Sequence, residues 1–113
     1  MKFLSIWTPD PKTANAPPSP EFRKKMDKLV ADAIKSGEVV LTGGLLPASQ
    51  GGARVRSSGG KITVVDGPFT ESKELIAGFA ILQAKSKEDA IESAKRFVTL
   101  AGDGESEIRQ IMD

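Results

Sequence analysis

The chain of 113 residues contains no cysteine and no histidine. Without cysteine there can be neither disulfides nor thiolate metal sites, which suits a reducing compartment. Without histidine the commonest general base is missing. An excess of one charge is missing too: 16 Lys and Arg stand against 15 Asp and Glu, a net charge of +1. That balance excludes an acidic tail and a strongly basic nucleic-acid binder, so nucleic acid is not an expected partner. No apolar run approaches the roughly 20 residues needed to span a bilayer, and the opening Met1-Lys2-Phe3-Leu4-Ser5-Ile6-Trp7 lacks the length of a secretory apolar region. The expected location is therefore the cytoplasm, with no membrane partner. There is no phosphate-binding glycine loop, no metal-ligand cluster and no Ser/His/Asp constellation, and neither a cofactor nor a metal is expected.

What is present fits a single domain over residues 1–113, with 39% hydrophobic and 27% charged residues, ordinary values for a globular chain. Phe3, Ser5 and Trp7 alternate with Leu4 and Ile6, so the opening strand has apolar groups on both sides and reads as central in a sheet. From Thr8 to Pro20 the prolines 9, 11, 17, 18 and 20 predict a loop, since proline cannot donate to a ladder or a helix. Ser19 is an N-cap with Pro20 at the first helical position; Phe22, Met26, Leu29, Val30, Ala33 and Ile34 then repeat at helical spacing until Gly37. Opposite that apolar face lie Arg23, Lys24, Lys25, Lys28 and Lys35, a solvated face or, less economically, a patch for an anionic surface. Glu38 to Thr42 predicts a second strand, and Gly43-Gly44 after it marks a bulge, a bend or a place where a ligand approaches.

Ala53 to Ser57 and Lys61 to Val65 flank Ser58-Gly59-Gly60, the pattern of a β-hairpin. Gly67-Pro68 ends the strand before it, and Leu75 to Leu82 is apolar at odd and even positions, a strand covered on both faces. Ser86 with Asp89 starts a second helix near Lys87 whose buried face is Ala90, Ile91, Ala94, Phe97 and Val98; Gly102 follows its end. Glu107 to Met112 is a last strand at an edge, because charges interrupt it. The order is that of an α+β, ferredoxin-like β-α-β-β-α-β antiparallel sheet with an inserted β-hairpin. Two helices cover one face of such a sheet, yet the strands of Trp7, Leu41 and Phe79 are apolar on both. A second copy of the chain is the expected cover, giving a homodimer.

Chemistry-bearing residues gather around Asp66-Gly67-Pro68-Phe69. Asp66 can accept hydrogen bonds from the turn's own backbone, or it can line a cleft as a general base or cation anchor. Glu71, Lys73 and Glu74 form either a pocket rim or a solvated connection. Phe69 reads as a core anchor. Arg54 and Arg56, two apart, share one strand face and can clamp a carboxylate or phosphate, or simply alternate on a solvated hairpin. Trp7 either packs in the core or interface or lines a cavity.

Gly43-Gly44-Leu45, Ala53-Arg54-Val55-Arg56 and above all Asp66-Gly67-Pro68-Phe69-Thr70-Glu71-Ser72-Lys73-Glu74-Leu75-Ile76-Ala77-Gly78-Phe79, with Asp89-Ala90-Ile91-Glu92 later, resemble the YCII-related proteins, and within them the group named for its Asp-Gly-Pro-Phe (DGPF) motif. The resemblance implies a dimeric α+β barrel, in which two sheets face each other across a central cavity. The first functional reading of these residues is a small-molecule-binding dimer, an enzyme of the lyase, isomerase or oxygenase kind if it is catalytic, with the ligand met by Asp66, Phe69, Lys73, Glu74, Trp7, Arg54 and Arg56 and with Asp66 the catalytic candidate. A His–Asp pair suggested as catalytic in relatives cannot be carried over to a chain without histidine. Some relatives stand beside or are fused to extracytoplasmic-function sigma factors, which implies a non-catalytic regulatory role, with a sigma-factor partner, as the alternative to an enzyme.

Overall fold

The computed structural model describes residues 1–12, 18–47, 50–66 and 76–112. Strand β1 (Lys2–Pro9) leads into helix α1 (Pro20–Ser36) and strand β2 (Val39–Gly44); β3 (Ala53–Ser58) and β4 (Lys61–Asp66) follow; then come β5 (Gly78–Gln83), helix α2 (Lys87–Ala101) and β6 (Gly104–Gln110). The main sheet has the order β2-β5-β1-β6 and is antiparallel throughout, and among the described residues β3 and β4 form a separate two-stranded sheet. With the hairpin set aside, this is the ferredoxin-like order that the sequence predicts.

Side-chain alternation along β1 divides the sheet into two faces. Phe3, Ser5 and Trp7 stand opposite Leu82, Ala80 and Gly78 of β5, and opposite Gln110, Ile108 and Ser106 of β6, and this set faces the helices. Leu4 and Ile6 stand opposite Ile81 and Phe79 and face the other way. The compact core is small. Phe3, Leu82 and Ala90 are buried, with Val39, Ala80, Ala84 and Ile108 packed around them.

Both helices begin as their sequences dictate. The Ser19 hydroxyl accepts from the Phe22 N–H at 3.1 Å, Pro20 occupies the first turn, and Gly37 ends α1 in the left-handed region at φ 84°. The Ser86 hydroxyl accepts from the Asp89 N–H at 3.1 Å, and Gly102 closes α2.

Four boundaries differ from expectation. β1 continues through Thr8 to Pro9, where proline was expected to stop it; Pro9 is the last position of the ladder, opposite Gly104, so its missing N–H interrupts nothing. β2 carries on through Gly43 and Gly44, and its irregularity lies between Val39 and Leu41. β5 begins at Gly78, and β6 begins at Gly104 and ends at Gln110. The fifth difference concerns packing: α1 buries none of its residues. Its apolar face roofs a cavity instead of closing on the sheet.

The β3–β4 hairpin is an arm. Every residue from Ala53 to Val65 is exposed, and the radius of gyration is 16.1 Å, against about 13 Å for a compact chain of this length. The surface is correspondingly large, 8745 Å², whereas a folded monomer of 12.0 kDa should expose about 6,000 Å².

Candidate functional site

Between α1, α2 and the helix-facing side of the sheet lies a cavity of about 680 Å³, within the range typical of small-molecule sites. The sheet supplies its floor through Ser5, Trp7, Val39, Thr42, Ala80 and Leu82; Phe22, Met26, Leu29, Val30 and Ala33 of α1 form the roof, and Ala94 and Phe97 of α2 a wall. The α1 residues recur at three- and four-residue steps and so share one helix face. They are only half-buried because that face looks into the cavity.

Trp7 anchors the aromatic part. Its ring stands edge-on to Phe97, with centroids 5.2 Å apart and planes at 85°, a favourable arrangement for two quadrupoles. The indole fits only because β6 starts with glycine. A Cβ on Gly104 would lie 2.6 Å from Trp7 Cη2 and 2.7 Å from the Thr8 carbonyl oxygen, and its φ of +152° is one that other residues avoid.

Polar groups are few and placed. The Ser5 hydroxyl, buried at 9% exposure, shares a 2.7 Å hydrogen bond with the Ser106 hydroxyl. Thr42 Oγ1 donates to the Phe79 carbonyl at 2.9 Å. At one end of the cavity the Glu38 carboxylate accepts from the Ser93 hydroxyl and from the Arg96 guanidinium, and Arg96 Nη2 also donates to Ser93 Oγ at 3.3 Å. Glu38 directly follows the Gly37 cap, and Ser93 and Arg96 are one turn apart on α2, so the cluster ties the end of α1 to α2. Among the described lining residues, Glu38 and Arg96 are the charged ones.

The sequence-based candidates are distributed differently. Trp7 lines this cavity on the helix side of the sheet. Arg54 and Arg56 stand opposite Val65 and Thr63 on one face of the arm, as their spacing predicts, and neither lines the cavity. Asp66 ends β4 opposite Ala53, and only its backbone belongs to the described chain. Phe69, Lys73 and Glu74, with Glu71 and the Gly67-Pro68 turn, lie outside the described residues. Sequence reasoning did not single out Glu38, Ser93 and Arg96. The available signal was a polar residue directly after a helix-ending glycine, paired with two polar residues three apart on a helix otherwise read for its apolar face. Among the described residues no group of three or more Asp or Glu is arranged to hold a metal ion.

A smaller hollow of about 310 Å³ lies on the opposite face of the sheet, lined by Ile6, Thr8, Ile76, Glu105 and Glu107. This is the face that a two-sheet assembly would cover. The larger cavity is on the other side.

The YCII-related domain matches residues 1–113. The chain belongs to the YCII-related family. A relative from Rhizobium meliloti (strain 1021), an uncharacterised protein, is 32% identical over 62 residues, which are 55% of this chain and 49% of that one; the matched segment thus spans about half the length of the curated relative. Among solved structures the fold is similar to that of 5-chloro-2-hydroxyhydroquinone dehydrochlorinase from Burkholderia phenoliruptrix AC1100, determined in complex with 2,5-dihydroxybenzoquinone. That similarity has a TM-score of 0.49 at 15% identity, and covers 99% of this chain and 94% of that chain. Among the described residues no helix is long and apolar enough to cross a membrane.

Proposed function

We propose that this YCII-related protein binds a small, largely apolar molecule in the cavity between its helices and its sheet, and does so as a homodimer. The observation that carries the proposal is the cavity itself: about 680 Å³ of space under a helix that buries none of its own residues. A ligand seated in a hollow of that size gains dispersion contacts with its mostly apolar walls. The lining sets the ligand's character. An aromatic or alicyclic body fits beside Trp7 and Phe97, and a single polar or acidic group fits the Glu38–Ser93–Arg96 end, where Arg96 can exchange part of its bond to Glu38 for one to the ligand.

Asp66, Phe69, Lys73 and Glu74 remain proposed contacts. Support comes from the chain's continuity, because Ala77 and Gly78 line the cavity only a few residues after Lys73 and Glu74. If the protein is an enzyme, Asp66 is the proposed general base. The dimer reading is supported by the surface area and by the apolar open face of the sheet. A second reading, a non-catalytic interaction module, has the exposed arm in its favour; that its partner would be a sigma factor, and that the protein works in the cytoplasm, are extensions of the family resemblance and of composition.

Trp7 is the single tryptophan and lies in the cavity wall, so its emission reports occupancy directly. The test is a fluorescence titration with 8-anilinonaphthalene-1-sulfonate and a panel of aromatic carboxylic acids and phenols, on the parent protein and on Ala94→Phe, which fills the wall. Saturable quenching or enhancement that Ala94→Phe abolishes supports the site. Equal titrations of the two proteins reject it.

A further inference from the structure

Strand β1 brings two hydrogen-bonding side chains to one stretch of the cavity. Ser5 and Trp7 are two residues apart, so they share the helix-facing side of the strand, and both line the cavity. The indole N–H of Trp7 is a donor and nothing else. Among the described residues it meets no acceptor, yet it is not sealed away, because none of their side-chain nitrogens or oxygens is both buried and unpaired. The Ser5 hydroxyl is buried, and its 2.7 Å bond to the Ser106 hydroxyl uses one of the pair's two hydrogens. With Ser106 as the donor of that bond, the Ser5 O–H is left over for the cavity.

The floor between this end and the Glu38 end is low. Ala80 stands between Ser5 and Thr42, and Gly78 between Trp7 and Gly44. Two strand spacings put Ser5 and Thr42 about 10 Å apart. Thr42 spends its own hydrogen on the Phe79 carbonyl, so it adds no donor there. Glu38 lies beside Gln83, whose N–H donates to the Glu38 carbonyl at 2.8 Å, three residues along β5 from Ala80. The backbones of Ser5 and Glu38 are therefore about 14 Å apart, and their side chains narrow the gap to on the order of 10 Å.

We infer that the ligand of this cavity carries a carbonyl at the end opposite its acidic group, and that Trp7 Nε1–H and Ser5 Oγ–H are the two donors that hold the carbonyl oxygen. The inference rests on the small-molecule reading of the cavity and narrows the ligand to an elongated aromatic acid with an oxygen acceptor at its far end. A carbonyl oxygen has two lone pairs and no proton, so it takes both donors and leaves neither unmet. An apolar group in the same place covers the donors without pairing them, and a donor shut away from water without a partner costs more than a made bond returns. Trp7 thus recognises the ligand through its polar edge as well as its ring.

The experiment compares two shape-matched pairs, 4-acetylbenzoate with 4-isopropylbenzoate and 4-acetylcinnamate with 4-isopropylcinnamate, by isothermal titration calorimetry on the parent, Ser5→Ala and Ala94→Phe. In each pair an oxygen stands where its partner has a methyl group. The acetyl compound of at least one pair should bind the parent about 10-fold or more tightly than its isopropyl partner, although the isopropyl group is the cheaper one to desolvate. Ser5→Ala should narrow that ratio several-fold. Because Trp7 is the single tryptophan, its indole N–H gives one proton–nitrogen resonance, which should move downfield and exchange more slowly with solvent when the acetyl compound is bound and not when the isopropyl compound is. Equal affinities within both pairs, or an isopropyl preference, with binding still abolished by Ala94→Phe, overturn the carbonyl subsite and keep the cavity reading. An acetyl preference that Ser5→Ala leaves unchanged, with the indole resonance unmoved, overturns it as well, since the oxygen then meets neither donor. If none of the four compounds binds while 8-anilinonaphthalene-1-sulfonate does, the subsite alone falls; if that probe also fails to bind, the cavity reading falls with it.

Discussion

Replacing Gly104 by alanine tests the architecture of the site at one atom. The added Cβ would lie 2.6 Å from Trp7 Cη2, 2.7 Å from the Thr8 carbonyl oxygen and 2.8 Å from the Pro9 Cα. The indole can move, but the two backbone atoms belong to the β1–β6 ladder, where Pro9 stands opposite Gly104. Relief therefore has to come from shifting the end of the ladder or from leaving the φ of +152°, which alanine disfavours in any case. Overpacking costs about 1–3 kcal/mol and an unfavourable backbone region about the same again, so a destabilisation of about 3 kcal/mol is expected. For a domain of this size that lowers Tm by about 12 °C or more.

Thermal unfolding at fixed protein concentration measures the loss, and fixed concentration matters because association shifts apparent stability. Near-ultraviolet circular dichroism of Trp7 supplies the second reading, since the indole should lose its fixed edge-on contact with Phe97. A Gly104→Ala protein within 2 °C of the parent, with an unchanged tryptophan signal, would refute the placement of Trp7 against β6. If only the tryptophan signal changes, the ladder has yielded less than supposed and the indole alone has moved.

Other expectations follow from the same structure. Ala94→Leu adds three carbons to the cavity wall and should stabilise the unliganded protein by about 1 kcal/mol after rotamer costs while weakening probe binding, a pairing that calorimetry and titration together can check. Ser19→Ala and Ser86→Ala should each cost about 1 kcal/mol in denaturant unfolding, because each removes the side-chain acceptor of a helix-start N–H. Arg96→Ala should cost less than about 1 kcal/mol, given that the Arg96 side chain is 55% exposed and exposed pairs contribute little; its effect should appear instead as weaker binding of acidic probes than of neutral ones. Asp66→Asn keeps shape and removes charge, so unchanged melting with lost binding supports a site role, and lost stability with no ligand found for the parent supports a turn role.

The elements whose signals are local were the ones legible in sequence. Ser19 with Pro20, and Ser86 with Asp89, mark helix starts through hydrogen bonds that span three residues. The alternation of Phe3, Ser5 and Trp7 against Leu4 and Ile6 places β1 in the middle of the sheet, where it pairs on both sides. Boundaries set by tertiary pairing were harder. Pro9 stays in the ladder because its partner strand extends to Gly104, more than 90 residues away in the chain, and no local pattern carries that information. The cavity was hidden for a related reason. Phe22, Met26 and Val30 have the spacing of a core-facing stripe, and spacing cannot distinguish a helix pressed against a sheet from one held off it. One tie near the end of α1 is the Glu38–Ser93–Arg96 cluster, in which Glu38 lies 55 and 58 positions from its two partners.

The two faces of one sheet are thereby given different work by a period of two. Trp7 and Ser5 look toward the helices and the cavity, while Ile6 and Leu4, their immediate neighbours, look toward the open face and the proposed partner. A slip of one residue in the β1–β5 register would exchange these sets, putting Trp7 on the open face and Ile6 under α1. Glycines oppose such a slip at close approaches. Gly78 sits opposite Trp7, and a Cβ there would come within 3.2 Å of the Gly43 carbonyl oxygen; a Cβ on Gly43 would come within 3.2 Å of the Phe79 ring. The same three strands, β1, β2 and β5, therefore position both surfaces. A ligand that orders the Trp7 side and a partner that orders the Ile6 side act on a common backbone, so occupancy of the cavity and strength of the dimer should be linked in both directions by a single coupling free energy.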